Sequence, residues 1–140
     1  MTYGASDART YTVKDGVYPK KGSLLTIQDS DGLVDLTTAT EVCHLIAVDE
    51  SSRDADGTLV ASGATVTAVP VGGVAFVLMT NGQSMTAGDE IFVGAGGLGT
   101  ITAGSSKKLG INLGGAATTE REVLYPVNTN GEEQIRGFGE

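Results

Sequence analysis

The chain has 140 residues, enough for one domain with a real core and too few for two. Its 21 glycines, three prolines and lack of tryptophan fit an all-β chain with glycine-built turns and little helix. A net charge of -8, with nine Lys and Arg clustered only as Lys20-Lys21 and Lys107-Lys108, excludes a phosphate-binding surface; the single cysteine, Cys43, excludes an internal disulfide and a cysteine-rich zinc site.

Residues 1–21 mix Tyr3, Tyr11 and Tyr18 with charges and show a short alternation around Tyr11 and Val13; they read as an extended N-terminal arm, whose tyrosines suit contact with a partner surface, or equally as a floppy terminus with one edge strand. From Gly22 a β-rich core, 22–128, begins. Leu24 to Gln28 and Leu33 to Thr37 are predicted strands joined by the Asp29-Ser-Asp-Gly32 turn. His44 to Val48 comes next, then a solvated acidic loop from Asp49 to Gly57. Thr58 to Ala61, Ala64 to Val69 and Val74 to Met79 are the next predicted strands. The last of these is apolar on both faces and is predicted to be the most buried strand. After the Asn81-Gly82 turn come Ile91 to Val93, a GAGGLG loop and Leu98 to Thr102. Lys108 to Leu113 alternates, with Leu109, Ile111 and Leu113 expected inward. Gly114 to Glu120 reads as one helical turn, Val123 to Val127 as the final strand, and 129–140 as a polar C-terminal tail.

The expected fold is therefore a small β-barrel or β-sandwich. Its core is drawn from Leu25, Ile27, Val66, Val74, Phe76, Leu78, Ile91, Val93, Leu109, Ile111, Val123 and Tyr125. The sequence also echoes itself. Gly22-Ser-Leu-Leu-Thr-Ile27 matches Gly88-Asp-Glu-Ile-Phe-Val93, Gly32-Leu-Val-Asp-Leu-Thr37 matches Gly97-Leu-Gly-Thr-Ile-Thr102, and Ile46 and Val48 fall on Ile111 and Leu113. A strand, turn, strand, loop, strand unit used twice is inferred, with Gly63 to Met79 between the copies.

Each chemically suggestive motif has a plain structural explanation. Gly94-Ala-Gly-Gly-Leu-Gly99 spells the dinucleotide fingerprint, but it leads into Thr100-Ile-Thr102, a predicted strand and not the helix whose N-terminus must meet a pyrophosphate. Asp29-Ser-Asp31-Gly32 and Asp54-Ala-Asp56-Gly57 open like calcium loops yet lack the remaining ligand spacing, and read as Asx turns. Cys43 and His44 are neighbours on a predicted strand and so face opposite ways, a poor nucleophile and base; a buried Cys beside an exposed His is expected. Asp89 and Glu90 alternate in the same manner. No catalytic, cofactor or metal site is predicted. The sequence has no basic-then-apolar leader and no run near the roughly 18 residues of a membrane span. A protein soluble where it is made is expected, with no nucleic-acid or membrane partner.

From Gly22 to Val127 the ordered segments KKGSLLTI, GLVDLTTA, LIAV, GATVTAVPVGGVAFV, AGDEIFV, GGLGTITA and KKLGINLGGA resemble the capsid decoration, or cement, proteins of tailed bacterial and archaeal viruses. Each segment is ordinary β-strand and turn sequence, so the likeness lies in their order. The resemblance implies a β-barrel core and a homo-oligomer, often a trimer, with the major capsid protein as partner on the outside of the virion. No catalytic residue is carried over. Tyr3, Tyr11 and Tyr18 are the expected contact residues. The competing expectations are another β-rich virion part, such as a head spike or tail-tube accessory, and a carbohydrate-binding module. The latter is disfavoured because the chain lacks Trp and holds three of its four Tyr in the arm.

Overall fold

The computed structural model describes residues 8–103, 107–118 and 121–129, and these are almost entirely β. The first half contains β1 (Arg9–Thr12), β2 (Leu24–Ile27), β3 (Val34–Leu36), β4 (Leu45–Ala47) and β5 (Thr65–Pro70) in one sheet of order β1-β5-β4-β2-β3. This sheet is an open half-barrel, the first barrel below, that curls until Val13, just past β1, meets Val34 in a single parallel bridge. The second half contains β6 (Val74–Met79), β7 (Ser84–Met85), β8 (Glu90–Val93), β9 (Gly99–Thr100), β10 (Lys108–Asn112), β11 (Ala117–Thr118) and β12 (Val123–Asn128). Five of these close a barrel in the order β10-β12-β6-β9-β8, and β7 and β11 pair as a ribbon beside it.

The two halves are the same unit built twice, and their ladder registers agree pair by pair. Leu25↔Leu45 and Leu24↔Ile46 of the first half correspond to Ile91↔Gly110 and Glu90↔Ile111 of the second. Ile27↔Val34 corresponds to Val93↔Gly99, and the parallel bridge Val13↔Val34 to Met79↔Gly99. Arg9↔Ala68 and Thr12↔Thr65 correspond to Ala75↔Val127 and Leu78↔Leu124. Even the turn before the second strand repeats. Gly22 N–H donates to Ala47 O and Gly88 N–H to Asn112 O, both at 2.8 Å. The Ser23 hydroxyl accepts the Lys20 N–H, and the Asp89 carboxylate accepts the Thr86 N–H. The echo read from the sequence is thus a repeat of backbone architecture, with one correction. β5 and β6, expected between the copies, are the last strand of the first and the first strand of the second.

Burial follows from that architecture. Leu24 and Leu25 are consecutive and both fully buried, because successive strand residues face opposite sides and here both sides are covered. Leu25 points into its own barrel with Val13, Val34, Leu45, Ala64 and Val66. Leu24 joins Cys43, Ile46 and Val69 in a second cluster with Val77, Met79, Met85, Ile91, Val93, Leu109 and Val127 of the second half. This second cluster is where the two barrels are welded. At the same seam Leu78 N–H donates to Gly22 O and Gly97 N–H to Thr37 O, each at 2.9 Å.

Several expectations are corrected here. β6 is buried only toward its C-terminal end; Phe76 is 58% exposed and Val74 57%. The outward face of β6 is covered where the first barrel sits on Leu78 and is bare beyond it. In β10 the register slips between Lys108 and Gly110. This bulge reverses the alternation, so Asn112 is buried and Leu113 is 51% exposed, the opposite of the regular pattern. The expected helical turn after Gly114 contains strand β11, and Thr58 to Ala61 supplies only a bridge from Leu59 to Arg53. Within the expected arm, Arg9–Thr12 is a strand paired with β5, and Val13 is buried. Thr129, expected in the polar tail, is also buried.

Two equivalent glycines separate backbone strain from seam packing. Gly22 and Gly88 have φ of +86° and +88°. A Cβ on Gly88 meets nothing, whereas on Gly22 it would overlap Leu124 and come within 2.8 Å of the Leu78 nitrogen. Gly88→Ala is expected to cost about 1–2 kcal/mol from the left-handed backbone alone. Gly22→Ala is expected to cost more, by the work of prising the seam apart, and urea denaturation of the two variants measures the difference.

Candidate functional site

The reactive side chains are consumed by structure. Cys43 Sγ lies 3.2 Å from Leu45 O and has no exposed surface. Burial pushes its thiol up from an ordinary value of 9 to about 12, against weaker opposing hydrogen bonds to Leu25, Thr37 and Leu45. It is a poor nucleophile, since only the thiolate attacks. His44 is half-buried rather than exposed, and its Nδ1 accepts the Ile27 N–H at 3.0 Å. Asp89 receives both the N–H and the hydroxyl of Thr86, while Glu90 pairs with Lys108 at 3.2 Å. The two neighbouring acids serve different local contacts.

The two calcium-like sequences are closed as Asx turns. Asp31 Oδ1 accepts the Leu33 N–H, and Asp54 Oδ1 accepts those of Asp56 and Thr58. In the second loop Arg53 clasps Glu50 and donates to Gly57 O, and the guanidinium holds the Glu50 carboxyl below its ordinary range. The GAGGLG segment is a short 3-10 turn, Ala95–Gly97, closed by Gly94 N–H donating to Leu98 O at 2.7 Å. Its Gly97 is pressed onto Leu24 O and Leu36, so close that a Cβ would come within 2.9 Å of each. The missing side chain at Gly97 lets one barrel touch the other.

What the chain offers is a surface along the barrel junction. On one flank lies an open cleft of about 670 Å³, lined by Lys20, Asp49, Glu50, Leu78, Arg121 and Leu124 among others. Lys20 and Glu122 pair across it at 3.2 Å, an exposed contact of small energetic worth. A smaller apolar groove of about 210 Å³ is floored by Ile46 and Val69 and rimmed by Val48, Val74 and Phe76. Lys21 borders both. Of the expected contact tyrosines, Tyr3 lies outside the described residues. Tyr11 is half-buried on β1 against the first barrel's core, and Tyr18 is exposed beside a third hollow near Leu36, Leu78 and Leu98. Sequence reading misses the groove because its floor comes from β4 and β5 and its rim from β6. Alternating apolar residues in β6 are the available signal, but they read equally well as core.

No protein-family model matches the chain, and no curated protein matches it in sequence. Among solved structures it is similar to the crystal structure of the N base of the head fiber gp8.5 in bacteriophage phi29. The TM-score is 0.58 and the identity 16%, over 90% of this chain and 98% of that one. At that identity the likeness is one of fold, and it spans both barrels.

Sealing of Cys43 has a measurable consequence. In the unfolded chain the thiol ionises near 9 and in the native chain near 12, so above pH 9 the native state retains the proton that the unfolded state has lost. The thiol's stabilising contribution is complete below pH 9 and is lost as pH rises to about 12. Chemical denaturation between pH 8 and 11 is expected to show a steeper decline for the wild type than for Cys43→Ala. Native Cys43 is likewise expected to resist alkylation at pH 8 until denaturant is added.

Proposed function

We propose that this chain is a non-catalytic structural protein of a tailed-virus head. It attaches as a homo-oligomer to the outer surface of the major capsid protein and stiffens the expanded shell. The observation that carries this reading is the match of the whole duplicated fold to the base of a phage head fiber. The ordered segments from Gly22 to Val127 support it independently, through their resemblance to capsid decoration proteins. A rigid pair of barrels with an acidic, soluble exterior suits a module that bridges neighbouring capsid subunits. Many modest contacts of this kind add up through multivalency, so none has to be strong alone.

A second reading has a specific observation behind it. The matching structure is the base of a fiber, and on that reading the chain is the foot of a head spike, whose task is to hold an appendage rather than to reinforce the shell.

Purified heads that lack the protein, titrated with it and imaged, test both readings. For the decoration role, regular occupancy of the outer surface and a higher temperature of shell rupture are expected. Occupancy at a few positions with no change in rupture temperature would support the spike foot instead. Failure to bind, or a position inside the shell, would overturn both.

A further inference from the structure

The apolar groove opens beside the place where the chain leaves its last strand. Asn128, at the end of β12, pairs with Val74, which rims the groove. Thr129 pins the exit there. Its N–H and hydroxyl both donate to Gly73 O, at 2.9 and 2.6 Å, and its hydroxyl oxygen accepts the Gly72 N–H at 3.0 Å. Both edges of β12 are taken at this point, by Val74 of β6 on one side and Ile111 of β10 on the other. A chain that reverses after Thr129 therefore cannot add to β12, and the next two residues, Asn130-Gly131, are a pair that favours reversal. Its way back lies over the outward face that β12 shares with β6, where Val74 and Phe76 are 57% and 58% exposed. β6 also has main-chain groups to offer. Leu78 N–H points away from β12, to Gly22 O, so by the alternation of an antiparallel ladder the N–H and C=O groups of Val74 and Phe76 point the same way. Among the described residues no strand pairs with them on that side.

We propose that residues 130–140 of the same chain fold back onto this groove and cover it with Ile135 and Phe138. The groove, at about 210 Å³, is smaller than the roughly 300–1,000 Å³ of small-molecule pockets and is scaled to one or two large side chains. Ile135 and Phe138 are the large apolar residues that follow the exit. Reach selects the chain's own segment. Ile135 is six residues past Thr129, a span of up to about 20 Å, whereas Val74 and Phe76 are two residues apart on one strand, about 7 Å. A segment tethered at the lip of the groove is held there at an effective concentration that a separate molecule does not match. Charge agrees with this, since Glu132 and Glu133 lie in the segment and Lys21 lines the groove. The cover also removes an open apolar edge on which other chains would pair. The contact lies within one chain and does not require the capsid reading.

Nuclear magnetic resonance on the full chain tests this. In Ile135→Ser/Phe138→Ser the amides of Val74 and Phe76 are expected to exchange with solvent several-fold faster than in the wild type, while that of Val77, which faces β12, is unchanged. Binding of a hydrophobic dye is expected to rise several-fold. A spin label on Glu140→Cys identifies the occupant, since native Cys43 is fully buried and stays unlabelled. Broadening of the Val48, Val74 and Phe76 resonances is expected when spin label and isotope share a chain. None is expected when isotope-labelled wild type is refolded together with spin-labelled chains that carry no isotope. Broadening in that mixed sample would overturn the proposal and give the groove to the segment of a second copy. The same broadening from a label on Thr2→Cys, and not from Glu140→Cys, would overturn it in favour of residues 1–7. Unchanged amide exchange and dye binding in the double variant would also overturn it.

Discussion

The structure depends on one close approach, the contact of Gly22 with β6. At Gly22 the chain turns with φ of +86°, donates its N–H to Ala47 of its own barrel and offers its carbonyl to Leu78 of the other. With no side chain in the way, Leu78 and Leu124 settle directly on this peptide. That contact lets β2 present Leu24 to the second barrel while Leu25 fills the first. A five-stranded barrel of some sixty residues buries a modest share of its surface and is marginal alone. Sharing a cluster across the seam gives each half a second covered face, which matters in a chain whose one cysteine has no disulfide partner within it.

Duplication makes the seam's asymmetry visible. Four positions that are apolar in the copy using them are polar in the copy that does not. Leu24 corresponds to Glu90 and Val69 to Asn128 on one side of the contact; Leu78 corresponds to Thr12 and Leu124 to Thr65 on the other. Thr12, Thr65 and Glu90 are exposed. Two identical barrels joined in this manner would leave a sticky face at each end and stack without limit, as any open head-to-tail contact does. Polar substitution at the unused faces stops the series at two, as capping repeats do in longer arrays.

How much of this is legible in the sequence varies by feature. Glycine before a strand is visible because only glycine tolerates φ near +87°, and so Gly22 and Gly88 mark the repeat. The first and last strands of each copy carry no such mark. TVTAVP of β5 and VLYPVN of β12 occupy the same ladder position with different side chains, and only register reveals the match. Alternation fails in β10 because one bulged residue inverts every face after it. It fails in β6 for another reason. Val74, Phe76 and Leu78 form one apolar stripe, yet hydrophobicity reports what a residue prefers, not whether a neighbouring element extends far enough to cover it.

The same limit governs the candidate site. A catalytic centre announces itself in sequence by residue types that chemistry requires; an adhesive surface has no such alphabet, and its apolar residues look like core. Tyr11 illustrates this. Tyrosine suits interfaces, which points to a partner surface, yet here the side chain leans on the first barrel's core from an edge strand. Charge is the better guide in this chain. Seventeen acids against nine bases leave most of the exterior mutually repellent between copies. Contacts between copies therefore favour surface without carboxylates, while a partner of opposite charge is free to use the acidic loop around Asp49 to Gly57.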